Sequence, residues 1–71
     1  MSKEHPLAKN LRKLRERKGL SQDRLAKLAD VANNTIIKIE QGKNINPTLD
    51  TLKKMAKALE VSVDDLIGYV N

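Results

Sequence analysis

Apolar residues recur at helical spacing along most of this chain and never alternate over the length of a strand. Leu7, Leu11 and Leu14 stand at i, i+4 and i+7, which puts them on one stripe of an α-helix. The spacing predicts a first helix from about Pro6 or Leu7 to Lys18. Pro6 suits a first turn, where its missing N–H costs nothing. Gly19 can take the left-handed conformation that ends the helix. Lys9, Lys13 and Arg17 form an outward row. Arg15 lies within about 40° of Leu11, so its stem can pack while its head reaches inward.

The same reading continues down the chain. Ser21 is a good N-cap for a second helix, with Asp23 favourable in the first turn. Its inner face is Leu25, Ala26 and Ala29, with Leu28 a further candidate. Asp30 and Val31 make a turn. A third helix runs from about Asn33 to Gln41, and Gly42 ends it. On that helix Ile36 and Ile39 lie within about 60° of one another, with Ala32 between them. Asn34, Lys38 and Gln41 cluster on the opposite side, flanked by Ile37 and Asn33. Residues Lys43 to Asn46 form a loop closed by Pro47. Thr48 caps a fourth helix, whose Leu49, Leu52, Met55, Ala56 and Leu59 keep the i, i+3, i+4, i+7 spacing. Ser62 caps a short fifth helix, with Asp65 in capping-box position. Val61, Val63 and Leu66 should close the core, and Ile67, Tyr69 and Val70 remain. The expectation is an all-α, five-helix fold in a single domain over residues 1–71, its core about 6–67.

Composition narrows the chemistry. The 71 residues include no cysteine, so neither disulfides nor thiolate metal sites can support the core. The single His5 cannot build a metal site that needs three or four ligands; the expectation is a solvated side chain, no metal and no cofactor. No run of about 18 apolar residues exists to span a membrane, and the N-terminus lacks the apolar segment of a signal peptide. The expected location is cytoplasmic. The net charge is +5 and is uneven. Residues 1–18 hold seven basic and two acidic groups, whereas residues 58–71 hold three acidic groups and no basic one. A basic body with an acidic tail fits a polyanion partner on one side, and equally fits a solvated helix surface. An enzyme is not expected: the chain shows no nucleophile–base set, metal cluster or phosphate loop, and is too short to wall off a pocket.

Two short helices joined by a turn are a weak signal alone. Here they stand inside a longer pattern, LRKLRERKGLSQDRLAKLADV, TIIKIEQG and P-TLDTLKKMAKALEVSVDDLI. From about Leu7 to Ile67 this resembles the Cro/repressor-type helix-turn-helix family, the group of phage repressors, restriction-modification controllers and antitoxins, which is prokaryotic or phage in origin. The resemblance implies a compact lambda-repressor-like bundle with the helix-turn-helix at helices 2 and 3. It implies a sequence-specific transcription regulator, such as a repressor, that binds double-stranded DNA as a homodimer on an inverted repeat.

Carried onto this sequence, the resemblance implies base contacts from Asn33, Asn34 and Lys38, with Thr35 and Ile37 as lesser candidates. It implies phosphate contacts from Gln22, Gln41, Lys43 and Asn44. The residue chemistry agrees. An asparagine amide pairs with adenine N6 and N7, and a lysine donates to guanine O6 and N7. Alternatives stand beside three of these. Asn33 is either a reader or the cap of helix 3, because Ala32 before it caps poorly. Lys38 faces either a base or a phosphate. Ile37 contacts either a thymine methyl or only solvent.

The family also pairs Glu40 with a helix-1 arginine, here Arg15, as a structural ion pair. Glu40 lies about 40° from Ile36, on the inner border of helix 3. The sequence departs from the family at Asp30, where glycine is frequent, and at Ala32, where Ser or Thr is frequent. For dimerisation the C-terminal residues Leu66, Ile67, Tyr69 and Val70 are the expected surface; the other reading is that they complete the monomer core. The alternative function is an antitoxin or other protein-interaction module whose DNA binding is secondary.

Overall fold

The structure is a computed structural model that describes residues 5–68. It has five helices: α1 (Pro6–Arg17), α2 (Gln22–Ala29), α3 (Asn33–Glu40), α4 (Leu49–Leu59) and α5 (Val63–Ile67). No strand occurs among the described residues. Leu7, Leu11, Leu25, Ala26, Ala29, Ile36, Ile39, Met55, Ala56, Leu59 and Leu66 form one buried cluster. Every helix contributes to it. Helix α2 packs against α3 and α4, α1 against α3 and α5, and α4 against α5. The α2–α3 unit is thus held from both sides.

The helix starts follow local chemistry. Ser21, Thr48 and Ser62 each accept from the N–H three residues on, and Ser62 with Asp65 completes the capping box. One start differs from the expectation. His5 is not merely solvated: its Nδ1 accepts the Leu7 N–H at 3.3 Å and caps α1. A neutral imidazole nitrogen is an acceptor, so a histidine before Pro6 does the work of a serine.

The helix ends share one device. Gly19, Asp30, Gly42 and Glu60 are all left-handed. In three of these turns the next residue, Leu20, Val31 or Val61, folds back onto the core. That apolar contact commonly accompanies a left-handed helix end. Asp30 therefore replaces the family's frequent glycine without loss of the turn, with φ at 58°. Glu60 does the same, though its position suggests no such conformation from residue type alone.

Two apolar expectations are corrected, and Leu66 is decided between its two readings. Leu28 is exposed, because it lies about 60° from Leu25 on the side away from Ala29 and Ala26. Leu49 is exposed too; its angle suits the stripe, but it is the first residue of α4. Leu66 is 0% exposed and completes the monomer core, so it offers no dimer surface. Ile67 beside it is 38% exposed. Tyr69 and Val70 lie outside the described residues.

Gly68 closes α5 against α1. It is left-handed, and a Cβ there would run into the Asn10 side chain and lie 3.3 Å from Pro6 Cβ. The left-handed angle favours glycine here, and any larger residue would also have to displace the Asn10 side chain.

Candidate nucleic-acid interface

The outer face of α3 is built by what its inner face does. Ile36 and Ile39 are buried and Glu40 nearly so, which fixes the rotation of an eight-residue helix about its axis. Asn33, Asn34 and Lys38 are consequently exposed, and Thr35 and Ile37 are half-buried. All five expected readers lie on one short helix, and the polar ends of Asn33, Asn34 and Lys38 are exposed. Asn33 is the first residue of α3; the N-cap is Ala32, which makes no side-chain cap bond. The capping alternative for Asn33 is thereby removed.

The end of α3 is equally defined. Gly42 N–H donates to the Ile39 carbonyl at 3.0 Å, and Lys43 N–H to the Lys38 carbonyl at 2.9 Å. Asn44 N–H also reaches the Lys38 carbonyl, at 3.1 Å. With those groups satisfied, the exposed Gln41 and Lys43 side chains project from a hydrogen-bonded turn. Asn44 is half-buried; its Oδ1 accepts the Asn46 N–H at 3.1 Å, and its amide nitrogen is the donor it can offer an anion.

The scaffold under this face is the Arg15–Glu40 pair. Arg15 Nε donates to Glu40 Oε2 at 2.6 Å, and Arg15 Nη2 to Oε1 at 3.0 Å. Arg15 Nη1 donates to the Leu20 carbonyl at 2.8 Å. The side chains are 12% and 5% exposed. The hydrogen bond from Arg15 to Glu40 raises the arginine's pKa further, against the opposing cost of burial. The fork geometry of Arg15 matches the carboxylate, and no buried side-chain polar atom among the described residues lacks a partner.

Gln22 was expected to be free for phosphate. It is half-buried, and its Nε2 donates to Glu40 Oε1 at 3.0 Å. Helical spacing could not show this bond, because it crosses from the first residue of α2 to the last residue of α3. Only the crossing of the two helices brings those positions together.

Other features lie elsewhere. Lys18 donates to Glu60, which holds that exposed carboxyl below its usual pKa. The adjoining open concavity is lined by Leu14, Arg17, Lys18, Leu59, Glu60 and Val61 and draws on neither α2 nor α3. Among the described residues no group of three His, Asp or Glu side chains is placed to hold a metal ion. No helix there is long and apolar enough to cross a membrane.

Comparison with known proteins bears on this geometry. A family model described as helix-turn-helix matches residues 11–66. The chain is 37% identical over 63 residues to an uncharacterized HTH-type transcriptional regulator, RghRB, of Bacillus subtilis, covering 89% of this chain and 45% of that protein. An uncharacterized HTH-type transcriptional regulator of Archaeoglobus fulgidus is 36% identical over 59 residues, with 83% of each chain covered. Among solved structures, the restriction-modification controller protein C.AhdI from Aeromonas hydrophila superposes with a TM-score of 0.82 at 34% identity. That match covers 87% of this chain and 92% of C.AhdI. The chain spans less than half of RghRB. These relatives are regulators of transcription or of restriction-modification systems, not enzymes.

Proposed function

Because the chain belongs to the Cro/C1-type helix-turn-helix family, we propose that it regulates transcription by reading a double-stranded DNA major groove with α3, as a two-fold dimer on an inverted repeat. The observation that carries this reading is the division of α3 into two faces. Ile36, Ile39 and Glu40 anchor it, while Asn33, Asn34 and Lys38 stand exposed on the same eight residues. The exposed groups are two amides and a lysine, suited to adenine and guanine edges.

Gln22, Gln41, Lys43 and Asn44 border this face at the start of α2 and just past α3. These four are the proposed contacts to the DNA backbone, which set register without reading sequence. Half-buried Ile37 is suited to a thymine methyl. One domain reading a few bases gives little specificity, and two-fold pairing doubles the contacts. Exposed Ile67 at the end of α5 is the residue proposed to seed that pairing, together with the chain that follows it.

Selection of bound duplexes from a random pool tests the reading. The expected product is an inverted repeat with half-sites about 10–10.5 bp apart or a small variant of that spacing. A pool that shows no enrichment at low salt would overturn sequence-specific binding.

A further inference from the structure

The structural ion pair and the proposed phosphate grip meet at one carboxylate. Glu40 Oε1 accepts from both Arg15 Nη2 and Gln22 Nε2, each at 3.0 Å, while Oε2 accepts from Arg15 Nε. The Glu40 side chain is almost wholly buried. Paired with a guanidinium it is ionised and can only accept. The Gln22 amide must therefore turn its nitrogen toward Glu40 and its oxygen away. An amide nitrogen carries two hydrogens, so one N–H of Gln22 remains after the bond to Glu40.

We propose that Glu40 is a positioning residue for DNA binding: it sets the flip of the Gln22 amide so that the second N–H is presented to a backbone phosphate. This rests on the reading that the α2–α3 face binds DNA. Without Glu40 the two flips of the amide are close in energy, and one of them aims a carbonyl oxygen at an anion. With Glu40 that flip is excluded before DNA arrives, because the oxygen would also face a carboxylate. Preorganisation of this kind saves the cost of ordering a side chain on binding. Arg15 acts one step further back, holding Glu40 in place through two hydrogen bonds.

The test is a double-mutant cycle on affinity for a mixed-sequence duplex of about three helical turns, with Gln22→Ala, Glu40→Gln and the pair. Gln22→Ala should weaken binding about fivefold per half-site, the worth of one hydrogen bond. It should leave the slope of affinity against salt unchanged, because a neutral side chain releases no counterion. Glu40→Gln should weaken binding by a similar factor in the parent protein and have no further effect in the Gln22→Ala background. An equal loss in both backgrounds would show that Glu40 only holds the fold. A gain in affinity would show that the carboxylate competes with phosphate for Gln22. Either result overturns the proposal.

A second measurement needs no variant and stands even where Glu40→Gln fails to fold. In the nitrogen–proton spectrum of the intact protein, one of the two Gln22 side-chain N–H signals should move downfield on adding duplex. If both stay in place at saturation, Gln22 makes no such contact and the proposal fails while DNA binding stands. A parent protein that binds no duplex even at low salt overturns the DNA reading itself, and the inference with it.

Discussion

Glu40 shows how much can rest on one side chain in a domain of this size. Its carboxylate carries three hydrogen bonds and joins α1, α2 and α3. Removing one partner of a buried pair costs roughly 3–5 kcal/mol, because the other charge is left stranded. A 71-residue chain has roughly 4–10 kcal/mol of stability in all. Glu40→Ala should therefore lower the urea midpoint steeply and can approach complete unfolding at room temperature. An unchanged midpoint would mean the pair is solvent-screened after all, worth under about 1 kcal/mol. The two lysines proposed to meet DNA separate in another way. Lys38→Ala should relax base preference at one position of the site at a cost of about 1–3 kcal/mol. Lys43→Ala should weaken all sequences alike and reduce the salt slope by about 1. Titrations against a preferred and a scrambled duplex at several salt concentrations distinguish the two.

At the scale of elements, the helix ends carry as much information as the helix faces. Three turns follow one pattern, a left-handed residue, then an apolar residue, then the cap position: Gly19-Leu20-Ser21, Asp30-Val31-Ala32 and Glu60-Val61-Ser62. Ala32 is the member without a capping oxygen. Ala32→Ser should add about 1 kcal/mol, visible as a rise in melting temperature. No rise would mean that the first N–H groups of α3 already have partners in the free protein. Gly68 tests the opposite end of the fold. Gly68→Ala places a methyl against Asn10 in a left-handed backbone, and should destabilise by more than about 1 kcal/mol. Hydrogen exchange in α1 and α5 should rise together, because Gly68 is where those two helices meet.

The helix faces were largely legible in the sequence. The stripes in α1, α2 and α4 picked out Leu7, Leu11, Leu25, Ala26, Ala29, Met55, Ala56 and Leu59, all buried. Leu28 and Leu49 misled because periodicity marks an angular stripe and is silent about where a neighbouring helix lies along it. His5 misled because the common N-cap residues are Ser, Thr, Asp and Asn, while an imidazole nitrogen can also accept the cap bond.

For the whole molecule the decisive quantity is the number of copies. The described residues leave Ile67 exposed and Leu66 sealed in the core. A pairing surface here is therefore smaller than residue type alone suggested. Sedimentation over a wide concentration range should show a monomer–dimer equilibrium that Ile67→Glu shifts toward monomer. A parent protein that stays monomeric at high concentration without DNA would mean that pairing occurs only on DNA. Charge acts at this scale too. The basic groups concentrated in residues 1–18 and the acidic ones in 58–71 meet in the fold, because α1 packs against α5 and Lys18 pairs with Glu60. The net charge of +5 favours approach to a polyanion.

The sequence by itself determined the five helices, most of their buried stripes, the caps at Ser21, Thr48 and Ser62, and the exposed amides and lysine of α3. These follow from spacing and local hydrogen bonding, which involve residues a few positions apart. The Arg15–Glu40 pair was reachable through the family pattern together with the place of Glu40 on the helix wheel. Only the tertiary structure decided that Glu40 also holds Gln22, that Leu66 is sealed in the core and not shared with a pairing surface, and that Leu28 and Leu49 are left outside it. Each of those depends on where one helix crosses another. That crossing is set by the packing of the whole core and leaves no periodic trace in either helix alone.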